Sequence, residues 1–423
     1  MQDTRASRPA PRLVAVAAFA LFAANAAHAV DWTGYMRGGP AATDVSGKSR
    51  QCYGIGELKY RLGNECDFYG EFQLAQAMKA DGVDFNAVLM TNYYSPATES
   101  DKSANPADNF GVEQAYVEMK GVDIAPQALF WMGKRRDRDD VHIVDTFFTN
   151  MSGVGAGIEN IDVGFGKFGV AGYKNDSPAQ YVDGEHIATT GGNNGVGRLH
   201  AQLYDIPVNP DGKLRLVATY SRGDSQGGIK GQDGFGFNVE HTQDKFFGGG
   251  NHIWLQYAEG STDINQGISD NGAHGSGYKV WRVVESPSWQ VGSFGGQAIL
   301  MYQHNKAPDT APPVSLLSTS PSSNYWTVGG RGSWGLTKNV KWLTEVGYSS
   351  LKPSGGPNEN VTKVTIGPAL STGPDFWKRP ELRLYVTYAD YNKAAAEDTN
   401  NNYGFPANKT SAVSYGAQLE IWF

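Results

Sequence analysis

Beyond its first 29 residues the chain has no sustained apolar run. Mean hydropathy is −0.42, and a spanning helix needs ~20 consecutive apolar residues. A multi-span helical membrane protein is therefore excluded. An excess of basic charge is missing too: 36 Lys and Arg face 43 Asp and Glu, a net −7. That removes the electrostatic footprint of a nucleic-acid binder. Cysteine is nearly absent, Cys52 and Cys66 being the only two. The eight His residues show no H-E-x-x-H or other ligand spacing. Neither a metal nor a cofactor is expected. What is abundant is glycine, 53 residues, together with 10 Trp, 21 Tyr and 19 Phe. Glycine at about one residue in eight is well above the ordinary ~7%, and helix formers are thin. The composition is that of a β protein.

The one apolar stretch, Leu13 to Ala24, follows Arg5, Arg8 and Arg12 and precedes Ala27-His28-Ala29. A positive region, about a dozen apolar residues and a small-x-small site read as a secretory signal over residues 1–29. Residues 30–423 are then a single exported domain. Export permits a disulfide, and two cysteines allow one pairing, Cys52–Cys66.

From residue 30 onward the chain repeats one pattern, an alternating apolar and polar stretch followed by a turn or loop. Phe68–Leu74, Leu214–Tyr220, Phe235–Glu240, Glu381–Tyr388 and Ala412–Trp422 are examples. Period-2 alternation puts one set of side chains on each sheet face. In a soluble barrel or sandwich the apolar set faces a core; in a membrane barrel it faces lipid and the polar set lines a lumen. Aromatics near strand ends, charged residues mid-strand (Glu71, Arg215, Arg383, Glu420) and a chain ending on Phe423 favour the membrane barrel. At about 22 residues per strand and connection, the chain predicts about 18 strands, the size at which the lumen is an aqueous channel.

Parity then sorts the residues. Val413, Tyr415, Ala417, Leu419, Ile421 and Phe423 face outward, so Gln418, Glu420 and Trp422 face inward. Trp32 and Met36 outward place Tyr35 and Arg37 inside. Phe68, Phe72 and Leu74 outward leave Tyr69, Glu71 and Gln73 inside, and Leu58, Tyr60 and Leu62 outward leave Glu57, Lys59 and Arg61 inside. With Phe376, Leu382, Leu384, Val386 and Tyr388 outward, Trp377 and Arg383 share the inner side if parity survives Pro380. A lumen combining rings with charges suits sugars. An apolar pyranose face stacks on a ring while its hydroxyls take charge-assisted hydrogen bonds; the alternative is that the rings simply pack the wall.

Several segments carry a resemblance: VDWTGYMRG at 30–38, QC at 51–52, KYRLGNEC at 59–66, GKR at 133–135, DVHIVD at 140–145, SGVGAGIENIDVGFGK at 152–167, EHTQ at 240–243, WKRP at 377–380 and QLEIWF at 418–423. Together they are similar to the maltoporin family, from the first residue after the signal to the last, with loops diverging. The resemblance implies a homotrimeric outer-membrane β-barrel of 18 strands, in contact with outer-membrane lipid, with an inward-folded loop forming the constriction. It also implies facilitated diffusion of maltose and maltodextrins along an aromatic slide flanked by an ionic track. Tyr35, Tyr69, Trp377 and Trp422 match slide aromatics; Arg37, Arg61, Glu71, Arg138, Asp140 and Asp145 match the track. The chain also departs from the family. The outermost slide tryptophan has no counterpart between Pro96 and Phe110, and a slide phenylalanine falls near Gly250, with Trp254 a candidate substitute one layer away. A track arginine aligns at Glu113, the constriction tyrosine at Phe147, and the stretch from Arg135 to Asp140 is one residue short. Cys52 and Cys66 match the family's loop disulfide.

Patterns that invite an enzyme reading fail on context. Gly223–Gly227 fits G-x-S-x-G but lies between alternating strands, not at a strand-to-helix elbow. Gly164–Gly169 and Gly330–Gly335 fit G-x-G-x-x-G without a βαβ unit. Asp139, Asp140 and Asp145 read as a solvated acidic loop rather than a calcium site. Glu71 and Asp145 read as pore lining rather than a glycosidase pair. The expected function is passive passage of malto-oligosaccharides without catalysis. The alternatives are a porin for another oligosaccharide such as sucrose, a weakly selective general diffusion porin, and a non-channel barrel.

Overall fold

The computed structural model describes residues 30–423 apart from 49, 57, 96–108, 176–179, 183–184, 188–195, 224–232, 268–276, 310–320 and 400–402. The expected signal segment, Glu57, residues 96–108 and most of the Gly223–Gly227 motif lie outside the described residues. In chain order the strands are β1 (Asp31–Gly38), β2 (Ala41–Thr43), β3 (Phe68–Ala80), β4 (Val83–Ser95), β5 (Asn109–Lys120), β6 (Leu129–Arg135), β7 (Arg138–Asp140), β8 (Phe147–Asn150), β9 (Gly153–Asp162), β10 (Lys167–Asn175), β11 (Gln180–Val182) and β12 (Glu185–Ile187). They continue with β13 (Val196–Asn209), β14 (Gly212–Gly223), β15 (Asp233–Phe246), β16 (Gly249–Glu259), β17 (Lys279–Val291), β18 (Phe294–Lys306), β19 (Ser323–Gly335), β20 (Val340–Pro353), β21 (Glu359–Ser371), β22 (Glu381–Tyr391) and β23 (Ser411–Trp422). One short helix, α1 (Lys393–Glu397), sits in a loop.

Every strand except the hairpins β7–β8 and β11–β12 belongs to one antiparallel sheet. β1 pairs with β3 through Tyr35 and Glu71 and with β23 through Tyr35 and Trp422, which closes the sheet on itself. β2 continues β1 along β23 after the break at Gly39 and Pro40. The result is the expected closed barrel of 18 strands. At one end the strands join by short turns such as Asp81-Gly82 and Phe247-Gly248, all four residues with positive φ, the twist that a two-residue hairpin requires.

The alternation is realised in the wall. Along β22 Glu381, Arg383 and Thr387 are buried while Leu382, Leu384, Val386 and Tyr388 are exposed. Outward aromatics form two bands: Trp281, Tyr302 and Trp326 near the long-loop end, Phe294, Trp334 and Trp342 near the short-turn end. These are interfacial girdles around a lipid-facing apolar belt.

The barrel interior is partly filled from within. Tyr53, Ile55, Leu58 and Tyr60 from the first loop join Val141, Ile143, Val144 and Phe148 in one buried cluster, which packs on Trp254, Val284, Ile299 and Met301 of the inner wall. This corrects the strand reading of 58–62. Leu58, Tyr60 and Leu62 do form an apolar set, but they face the inner wall from a loop and never reach lipid. Phe376 is likewise corrected: it lies in the connection before β22 and is buried inside, not outward. Tyr60 occupies a slot made by two glycines. A Cβ on Gly347 would meet its ring at 2.1 Å and one on Gly329 at 2.5 Å, and its hydroxyl pairs with Thr327 at 2.8 Å. Gly347→Val is expected to cost about 1–3 kcal/mol by overpacking and to open the loop at 44–67 to protease. An unchanged cleavage rate would show that the slot does not hold the loop. The Cys52–Cys66 disulfide staples the same loop, with Cα atoms 6.0 Å apart. Replacing both cysteines by serine is expected to lower unfolding stability by about 3 kcal/mol, read as an earlier denaturant midpoint; no shift would contradict it.

Candidate functional site

Three neighbouring strands and one connection bring the four predicted aromatics into a ribbon. Trp422 on β23 lies opposite Tyr35 on β1, and Tyr69 on β3 lies opposite Arg37 on β1. Trp377, from the inward connection before β22, stands 6.5 Å from Trp422 between ring centroids. Trp377 is 41% exposed, whereas Tyr35 and Trp422 are half-buried.

Three of the four rings carry a cation. Arg37 sits 5.4 Å from the Tyr69 centroid, Arg61 5.8 Å from Tyr35 and Arg379 4.2 Å from Trp422. Arg138 lies 4.4 Å from Phe147. The charges are themselves locked together. Glu65 binds Arg61 at 2.5 Å, Arg37 at 3.3 Å and Lys59 at 3.4 Å. Burial would raise its pKa, but these three cations hold it down to about 2. Glu420 accepts from Tyr35 at 3.1 Å and Arg379 at 3.0 Å, and also from Arg383. Arg61 is therefore a buried support that donates to the Tyr35 hydroxyl, rather than an open rung of the track. Arg37, which also binds Asp67 at 3.0 Å, is the more accessible.

The segment 136–152, containing β7 and β8, crosses the interior. On one side Arg138 reaches Glu71 at 3.1 Å and His142 lies 3.4 Å from Glu420. On the far side Asp139 meets Arg215 at 3.0 Å, Thr149 accepts from Asn238 at 3.1 Å, and the Phe148 carbonyl accepts from Gln256 and Arg282. Asp145 binds Lys59 at 3.4 Å, Asp140 stays exposed, and Phe147 lies opposite Asp140 across the β7–β8 hairpin. Beyond the segment, a cleft of about 380 Å³ is lined by Asp137, Gln202, Tyr204, Arg215 and Glu240.

Glu113 is not left as a lone reversed charge, since Arg136 binds it at 2.7 Å and Glu71 at 2.7 Å. Arg136 was not among the predicted residues; its only signal was adjacency to GKR at 133–135. His142 and Arg379 were also missed, although both lie inside the quoted motifs. His142 stands 5.4 Å from the rings of both Trp377 and Trp422 and takes a hydrogen bond from Arg379 at 3.0 Å. Burial pushes its pKa down to about 4 despite Glu420, so at neutral pH it is an uncharged acceptor. Trp254 is corrected as a slide substitute: it is fully buried, its ring 5.3 Å from Phe148 in a stacked pair. Gly250 offers no ring, and no other aromatic among the described residues extends the ribbon at that point.

The family model for LamB porins matches residues 30–423. Among solved structures, OccAB2 of Acinetobacter baumannii is similar with a TM-score of 0.50 and 11% identity, covering 93% of this chain and 98% of that one. OccD3 (OpdP) of Pseudomonas aeruginosa gives 0.49 and 10%, covering 94% and 91%. At 11% identity the likeness to OccAB2 concerns the fold alone.

Proposed function

We propose that this chain, which belongs to the LamB porin family, carries maltose and maltodextrins passively across the outer membrane as a homotrimer, without catalysis. It is an outer-membrane channel built on a closed 18-stranded barrel. The observation that supports maltodextrin passage is the ribbon Trp377–Trp422–Tyr35–Tyr69 beside Arg37, Arg138, Glu71 and Asp145. Rings take the apolar sugar faces while ionised groups exchange hydrogen bonds with hydroxyls, so a linear chain slides without full desolvation. The segment 136–152 forms the constriction, with Phe147 and Glu113 at its edge.

A second reading, a porin for another oligosaccharide such as sucrose, is favoured by the cover over the inner indoles, where Arg379 lies on Trp422 and His142 on both tryptophans. Proteoliposome swelling separates the two. Maltotriose is expected to enter faster than raffinose, a trisaccharide of the same mass. Faster raffinose entry would move the substrate, and equal rates would remove the slide.

A further inference from the structure

At its wall nearest β4 and β5, the crossing segment meets a row of alternating charge. Asn92 donates to Glu113 at 2.5 Å; Arg136 links Glu113 and Glu71 at 2.7 Å each; Arg138 closes the row on Glu71 at 3.1 Å. Four segments contribute, so the row is set by tertiary structure rather than by one loop.

Local backbone explains how Glu113 comes to be there. β4 and β5 pair Met90 with Gln114 and then Thr91 with Val112, so Glu113 is the extra residue of a bulge. A bulge re-aims side chains. Here Glu113 and Gln114 both serve the interior, Gln114 accepting from the Arg136 amide at 3.0 Å. Gly111 leaves room for the Asn92 amide, whose Oδ1 would lie 2.7 Å from a Cβ at that position. The Arg136 guanidinium also contacts the Met90 sulfur at 3.2 Å and is the less accessible partner, its side chain 10% exposed, while Glu113 and Arg138 keep about a quarter of their side chains accessible.

We propose that Arg136 and Glu113 are selectivity-determining residues: together they keep this stretch of the passage electrically neutral, so that it favours ions of neither sign while uncharged polyhydroxy solutes pass. The inference rests on the reading that the passage beside the ribbon is the conducting path. Glu71 and Glu113 are balanced by Arg136 and Arg138, two charges of each sign. Losing either member of the pair leaves one net charge beside the path. In a narrow, low-dielectric channel a fixed charge concentrates counter-ions and excludes co-ions.

Reversal potentials in a KCl gradient across a planar bilayer test this with full-length protein. Arg136→Gln is expected to raise the potassium-to-chloride permeability ratio about fivefold, and Glu113→Gln to lower it about fivefold, as a unit charge several ångströms from the path would do. The double variant R136Q/E113Q restores neutrality and is expected to return the ratio to the wild-type value. A merely structural role would not produce opposite shifts that cancel. Equal ratios in wild type and both single variants, or a double variant that does not return, would overturn the proposal. Single-channel insertion shows that each variant is folded. Absence of sugar block in the wild type would instead remove the maltodextrin reading, leaving the selectivity result to stand alone.

Discussion

Glu420→Leu is expected to give the largest loss of stability of any single change in the barrel. The carboxylate is buried and receives Tyr35, Arg379 and Arg383, with Arg61 at 3.5 Å and His142 at 3.4 Å. Leucine fills a similar volume but removes the carboxylate that Arg379, Arg383 and Arg61 share, leaving Arg379 and Arg383 to Glu381 and Arg61 to Glu65. Removing one partner of a buried ion pair costs about 3–5 kcal/mol, and here one carboxylate serves several. Glu420→Gln keeps an acceptor and is expected to cost less. The readout is the temperature at which the folded, fast-migrating band is lost in detergent electrophoresis. A Leu variant as heat-resistant as wild type would mean that the network is dispensable. Because Glu420 also fixes Tyr35 and orients Arg379 over Trp422, sugar interaction should weaken in both variants.

Trp422→Ala and Trp377→Ala are expected to have the largest effect on function. Each removes an indole from the ribbon while leaving the wall hydrogen bonds of β23 and the turn before β22 in place. Truncating a stacking tryptophan costs about 1.4–2.8 kcal/mol, a tenfold to hundredfold loss of affinity. Conductance block by maltotriose should therefore need tenfold or more sugar in each variant. Trp377 is the more exposed and the cleaner test; at Trp422 the departure of the ring also frees Arg379. Block at unchanged concentrations would demote both rings to wall packing.

The wall was legible because period-2 alternation is a local property. Leu382 to Tyr388 and Val413 to Phe423 read directly as outward sets, and with them the inward placing of Trp422, Glu420 and Arg383. What was not legible depends on chain that folds back into the barrel. Leu58, Tyr60 and Leu62 alternate like a strand, yet they bury against an inner wall that is itself apolar, Leu58 and Tyr60 in one cluster with Trp254, Ile299 and Met301 and Leu62 with Leu343 and Ala369. Alternation cannot distinguish lipid from a covering loop. Phe376 fails for the same reason, because the connection holding Trp377 is a turn rather than strand. The four ribbon aromatics came from parity and family likeness together, whereas Arg136, His142 and Arg379 required tertiary structure. Their roles follow from partners 237 residues away in one case, His142 on Arg379, and from a one-residue bulge at Glu113 in another.

The central claim, a stacking path for linear malto-oligosaccharides, is tested most directly by planar-bilayer conductance of the purified protein titrated with maltose, maltotriose and sucrose. The structure predicts an open channel whose ion current is blocked by maltose and, at lower concentration, by maltotriose, because a longer chain spans more of the ribbon. Sucrose is expected to block least. An open channel whose current is indifferent to all three sugars would contradict the account.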